Sequence, residues 1–144
     1  MERYARLHGA PVPAARVRRA GARSLEAMAR ENAVEGCVRE TFGALLLRWQ
    51  AAHAQDASVR RTFVRISADE ARHAALSWAV ARWLEPRLDA AGRARVSAAR
   101  ARALRALRRD TSPIAFAFDA PAGRPLPAVR AALLDGMIQQ LDLA

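Results

Sequence analysis

Two runs of inward-type residues, recurring at steps of three and four, occupy residues 24–54 and 57–84 and are parted by only His53-Ala54-Gln55-Asp56. Such steps place side chains on one face of an α-helix. A connector this short turns the second helix back along the first, so the pattern predicts a long antiparallel helix hairpin spanning 24–85. The first stripe runs Leu25, Met28, Asn32, Glu35, Val38, Phe42, Leu45, Leu46 and Trp49; the second runs Phe63, Ile66, Glu70, His73, Ser77, Val80 and Leu84. Ser24 is a suitable N-cap for the first helix, with Glu26 in its opening turn to meet the helix dipole. Asp56 or Ser58 caps the second, which ends before Pro86.

Two more helices are expected. Over 91–109, Val96, Ala99, Ala103, Leu104 and Leu107 form an apolar strip set among arginines, the pattern of an amphipathic helix. Over 127–141, Pro127 suits a first turn, and Val129, Leu133, Leu134, Met137 and Leu141 would pack. Between them Ile114-Ala115-Phe116-Ala117-Phe118 is too short for an independent sheet, and the proline-bearing link around it is expected to wrap over the bundle. At the start, residues 2–7 read as the end of a helix, and Gly9, Pro11 and Pro13 stop it. The chain therefore opens as though another helix preceded it, as the second half of a longer ancestral protein would. Alanine and arginine are abundant and only 6% of residues are aromatic. Together these make residues 1–144 a single all-α domain.

Cys37 is the single cysteine, which excludes an internal disulfide and fits a reducing compartment. No run of apolar residues is long enough to span a membrane, and Met1-Glu2-Arg3-Tyr4 has no signal-peptide core, so a cytoplasmic location is expected. The net charge of +10 raises the question of a nucleic-acid partner. All 24 basic residues are arginine, and no aromatic residue interleaves with those of the arginine-rich stretch at 91–109, so a solvated basic surface is the reading adopted.

The polar members of the two stripes carry the functional reading. Glu70 and His73, three apart, share one face of the second helix, while Asn32 and Glu35 interrupt the first where apolar residues belong. If the hairpin turns near 54–55, facing positions sum to about 109, which sets Glu35 level with residue 74 and within a turn of both Glu70 and His73. Glu31 borders the same face a turn too far along; Glu40 points away and is expected to be solvated. A carboxylate buried without a partner is costly. A cation between Glu35, Glu70 and His73 would relieve that cost, and oxygen ligands with imidazole suit iron or manganese. The alternative is that Glu35 pairs with Arg39 or Arg72 and His73 is a hydrogen-bonded core residue. Cys37, two residues on from Glu35, points too far round to be a ligand; with Phe42, Ser77 and Trp78 it is a candidate pocket lining or plain packing.

Glu31-Asn32-Ala33-Val34-Glu35-Gly36-Cys37-Val38-Arg39-Glu40, followed by Asp69-Glu70-Ala71-Arg72-His73-Ala74, resembles the third and fourth helices of ferritin-like, rubrerythrin-related di-iron carboxylate proteins. The resemblance covers residues 24–85. It implies a ferritin-like four-helix bundle, Glu35 as a solitary or bridging ligand, Glu70 and His73 as paired ligands, and Asp69 as the acid that orients a ligand histidine. It also implies di-iron chemistry of ferroxidase, peroxidase or oxidase type. These residues hold half of such a site, since no second Glu-x-x-His pair is present. Completion by a homodimer or another helical chain is one expectation. The other is a metal-free helical interaction or structural module.

Overall fold

A computed structural model describes residues 21–110 and 121–143 together with Arg6, Gly9 and Pro11. All regular structure among these residues is helical. Helix α1, residues 25–53, is built of an α-helical turn pair Leu25–Glu31, a π-helical stretch Asn32–Glu40 and a further α-helical stretch Thr41–His53. Helix α2 is Ala57–Leu84, closed by the 3₁₀ turn Glu85–Arg87; α3 is Ala90–Arg109 and α4 is Pro127–Gln140.

The helix starts follow from side chains that satisfy the orphan N–H groups of a first turn. Ser24 Oγ accepts from Ala27 N at 3.2 Å, Asp56 Oδ1 from Ser58 N at 2.7 Å and Val59 N at 3.0 Å, and Asp89 Oδ1 from Gly92 N at 2.6 Å. The Ser58 hydroxyl and these amides hold the Asp56 carboxyl below its ordinary value. Pro127 opens α4. Apart from Arg6, Gly9 and Pro11, the expected terminal reading at 1–20 lies outside the described residues, as does the Ile114–Phe118 segment. The link's second part does wrap: Gln55 N donates to Pro121 O at 2.9 Å and Gln50 Nε2 to Ala122 O at 3.2 Å, on the turn of the hairpin. Gly123 completes that contact, because its φ is +70° and a Cβ there would stand 2.5 Å from Ala54 N.

Helix α1 is the centre. Helix α2 runs antiparallel along one side of it; α3 packs on the other side against residues 25–40 and α4 against Thr41–His53. The two apolar clusters lie mostly on the α3 and α4 side. One joins Val38 and Phe42 to Ala103, Leu104, Leu134, Met137 and Ile138. The other joins Ala29 and Ala33 to Leu84, Leu88 and Val96. Helix α2 therefore gives one buried residue, Leu84, to these clusters, with half-buried Val80 packed beside it, although it is the longest single α-helix of the described chain.

The inward face of α1 differs from the stripe expected of it. Leu25 and Met28 are exposed, whereas Ala29, Ala33, Gly36 and Cys37 are buried. A helix gripped from two sides buries small residues where neighbours approach closely, so large side chains do not mark its inside. The π-helical stretch adds a second displacement. Its i→i+5 hydrogen bonds put more residues in each turn than an α-helix has, and the face drifts with every residue. Glu35 and Glu40 exchange places accordingly: Glu35 is exposed and Glu40 is half-buried.

Candidate functional site

Glu70 and His73 are brought together as their spacing demands, with Glu70 Oε2 3.5 Å from His73 Nδ1. They lie on the open flank of α2, the imidazole 58% and the carboxylate 32% exposed. Asp69 is engaged by Arg72 and does not reach His73's ring in place of Glu70. Glu35 is elsewhere. Both its oxygens accept from Arg39 Nη1, at 2.8 and 2.9 Å, and it lines a cleft toward Ala99 and Arg102 of α3. Its neighbour Gly36 packs on Ser77, about two turns along α2 from Glu70. Within one chain, no three His, Cys, Asp or Glu side chains among the described residues come together as metal donors. The Arg39 pairing held open as an alternative for Glu35 is the one observed, at the surface and not in the core. This donor set does not fit a di-iron centre in a single chain.

What the helices do gather is a buried polar cluster around Ser77. A Cβ on Gly36 would stand 2.4 Å from Ser77 Oγ and 2.6 Å from its Cβ, so glycine is what lets the π-helical stretch and α2 touch. Ser77 Oγ donates to Glu40 Oε2 at 3.1 Å, and Asn32 Nδ2 donates to the Ser77 carbonyl at 2.9 Å. Trp78 Nε1 donates to Thr41 Oγ1 at 3.1 Å. Arg100 of α3 reaches across to Glu85 at 2.7 Å and lies over the Trp78 ring.

Cys37 is fully buried beside this cluster, its thiol directed at the Ser77 carbonyl at 3.6 Å. Burial pushes the thiol up to about 11, so it stays protonated and is no nucleophile at neutral pH. Asn32, Cys37, Glu40, Ser77 and Trp78 are thus mutually satisfied fasteners between helices. Glu40 escaped sequence reasoning because its inward turn depends on the π-helical phase; Asn32 in the stripe was the available signal.

The open surface lies farther along α2. From Ala57 to His73 no residue is buried, and Val59, Phe63 and Ile66 are only half-covered. Val64, Leu76 and Trp83 are 56%, 64% and 52% exposed. Between Thr41–Ala51 of α1 and Val64–Ala74 of α2 runs a groove of about 500 Å³, floored by Ala44, Ala51, Ala68, Ala71 and Ala74 with Arg48 on its rim. A second hollow of about 760 Å³ shares Ala51 and Val64 with it and continues past Ala57 to Arg61 and Arg65. Sequence reasoning missed this groove. Alanines at matching levels of both helices were its signal.

Comparison with protein families, curated proteins and solved structures gives no match. Among the described residues no helix is long and apolar enough to cross a membrane.

Proposed function

We propose that this chain is a helical docking module, a scaffold that holds α2 against α1 so that the flank of α2 can receive another chain. One observation carries this reading: the first seventeen residues of α2 bury none of their own side chains, and among the described helices α2 packs chiefly on α1. Exposed apolar side chains on a regular, well-capped helix mark a surface built for contact. The polar fasteners at Ser77 hold the distal half, which keeps the open half presented at a fixed angle. A photo-crosslinking residue at Val64 or Ala68, introduced in cells, is expected to give covalent adducts of higher mass. The same residue at Gln139 on α4 is the control. Absence of adducts at both α2 positions overturns the reading.

A second reading is favoured by the Glu70–His73 contact. Two copies related by a two-fold axis along α2 would join two such pairs, giving four donors for iron or manganese, and dimerisation would complete a ferritin-like bundle as the resemblance implies. Glu35 would stay outside that set, held by Arg39. Iron content and mass in solution, measured on protein from iron-fed cells, separate the two. A metal-free chain at every loading supports docking. About one or two irons per dimer, lost in Glu70→Ala, supports the metal centre.

A further inference from the structure

Resting on the docking reading, we propose that the groove between α1 and α2 takes an acidic amphipathic helix from a different protein. The floor sets the shape of the occupant. Ala44, Ala51, Ala68, Ala71 and Ala74 carry only a methyl group each, so a third helix can approach the two backbones closely and lay a seam of small or aliphatic residues between them. The groove from Thr41 to Ala51 is about 15 Å long, and the hollow beyond Val64 extends it, which is the length of a helix of about four to five turns. Val64 stands exposed where the two hollows meet, ready to be covered.

The rim sets the charge. Arg48, Arg60, Arg61 and Arg65 line the two hollows and no Asp or Glu does. Arg60 is spent on the carbonyls of Ala54 and Gln55, at 2.7 and 2.9 Å. Arg48 and Arg65 carry no ion pair among the described residues. Guanidinium groups flanking an apolar seam match carboxylates flanking the seam of a partner, and repel a basic one.

Among the described residues the chain offers no such helix. Helix α3 has seven arginines and no acid, α2 carries five arginines against Asp69 and Glu70, and α4 has Arg130 against Asp135. The one net-acidic helix, α1, is already the covered centre. Residues 1–20 hold Glu2 against five arginines. None of the exposed helices flanks an apolar seam with an excess of carboxylates, so a second copy supplies no matching surface, and the occupant is foreign.

The test uses the full chain and three probes, read by fluorescence anisotropy. One is a labelled helical peptide of about five turns with an Ala/Leu seam flanked by Glu; the second has Lys in place of Glu; the third is a phosphatidylserine vesicle. The Glu peptide is expected to bind at least ten-fold more tightly than the Lys peptide, and the preference is expected to shrink as salt rises. Arg48→Glu with Arg65→Glu should weaken the Glu peptide at least ten-fold. Ala71→Trp, which fills the groove from its floor, should abolish binding with helicity unchanged by circular dichroism. Equal affinity for both peptides, binding untouched by either variant, a vesicle that displaces the Glu peptide, or a self-associated chain whose groove is covered would each overturn the proposal. Crosslinking at Val64 with no binding of the Glu peptide would defeat this inference and leave the docking reading standing.

Discussion

The two halves of α2 belong to one uninterrupted helix, and they are held in opposite ways. From Ala74 to Leu84 the helix buries Ala74, Ser77, Ala81 and Leu84 and is pinned through Ser77 and Trp78 to α1. From Ala57 to His73 it buries nothing, though Phe63 and Ile66 there are as apolar as anything in the second half. Composition does not separate the halves. The difference lies in what faces them: Gly36 in the π-helical stretch opens room for close contact at Ser77, and α3 reaches the far end through Arg100 and the Leu84 cluster. Near the hairpin turn, among the described helices, α2 packs chiefly on α1, and alanines on both helices leave a groove where larger side chains would have closed the gap.

The sharpest way to break this contrast is by truncation. Leu84→Ala, at a fully buried position, should cost about 3 kcal/mol, whereas Val64→Ala should cost under about 0.5 kcal/mol, both read by urea unfolding. Similar losses at the two sites would mean that the first half is covered as well as the second. Next is the glycine contact. Gly36→Ala should destabilise by about 1–3 kcal/mol despite the better helix propensity of alanine, since Ser77 Cβ stands in the way. A neutral Gly36→Ala would show that the helices part without penalty.

The two glutamates of the π-helical stretch sharpen the comparison further. Glu40→Ala leaves the Ser77 hydroxyl without its acceptor and should cost about 1–2 kcal/mol. Glu35→Ala removes an exposed pair with Arg39 and should change stability by less than about 0.5 kcal/mol. The reverse order would return Glu35 to the interior, where its place in the stripe first set it.

The smallest effect concerns Cys37. Its thiol keeps its proton up to about 11 when folded, against 9.0 as its ordinary value, because burial penalises the thiolate. Folding therefore holds that proton more tightly. The contribution is complete below pH 9 and is lost as the pH rises through 11, so wild type should lose stability over that window relative to Cys37→Ala. Parallel pH profiles would place the thiol in contact with water.

The helices and their ends were legible because caps and breakers act locally: Ser24, Asp56, Pro86 and Pro127 each mark a boundary from their own chemistry. The depth and direction of side chains were not. Leu25 and Met28 look inward by period and face outward, because α1 is gripped by α2 and α3 through Ala29, Ala33 and Gly36. The convergence expected of Glu35 with Glu70 and His73 assumed α-helical phase and a register about one turn different from the one that Gly36 on Ser77 sets. Nothing in residues 32–40 taken alone announces π-helical hydrogen bonding. The Glu70–His73 contact, by contrast, was readable at once, since a spacing of three on one helix fixes it without reference to any other element.

Backbone amide hydrogen exchange along α2 in the isolated chain tests the account most directly. A step is expected near Ala74, with amides from Val59 to His73 exchanging at least ten-fold faster than those from Ser77 to Leu84, and with the faster half slowing when a helical partner is bound. Uniform protection from Ala57 to Leu84 in a monomeric, partner-free chain would contradict it.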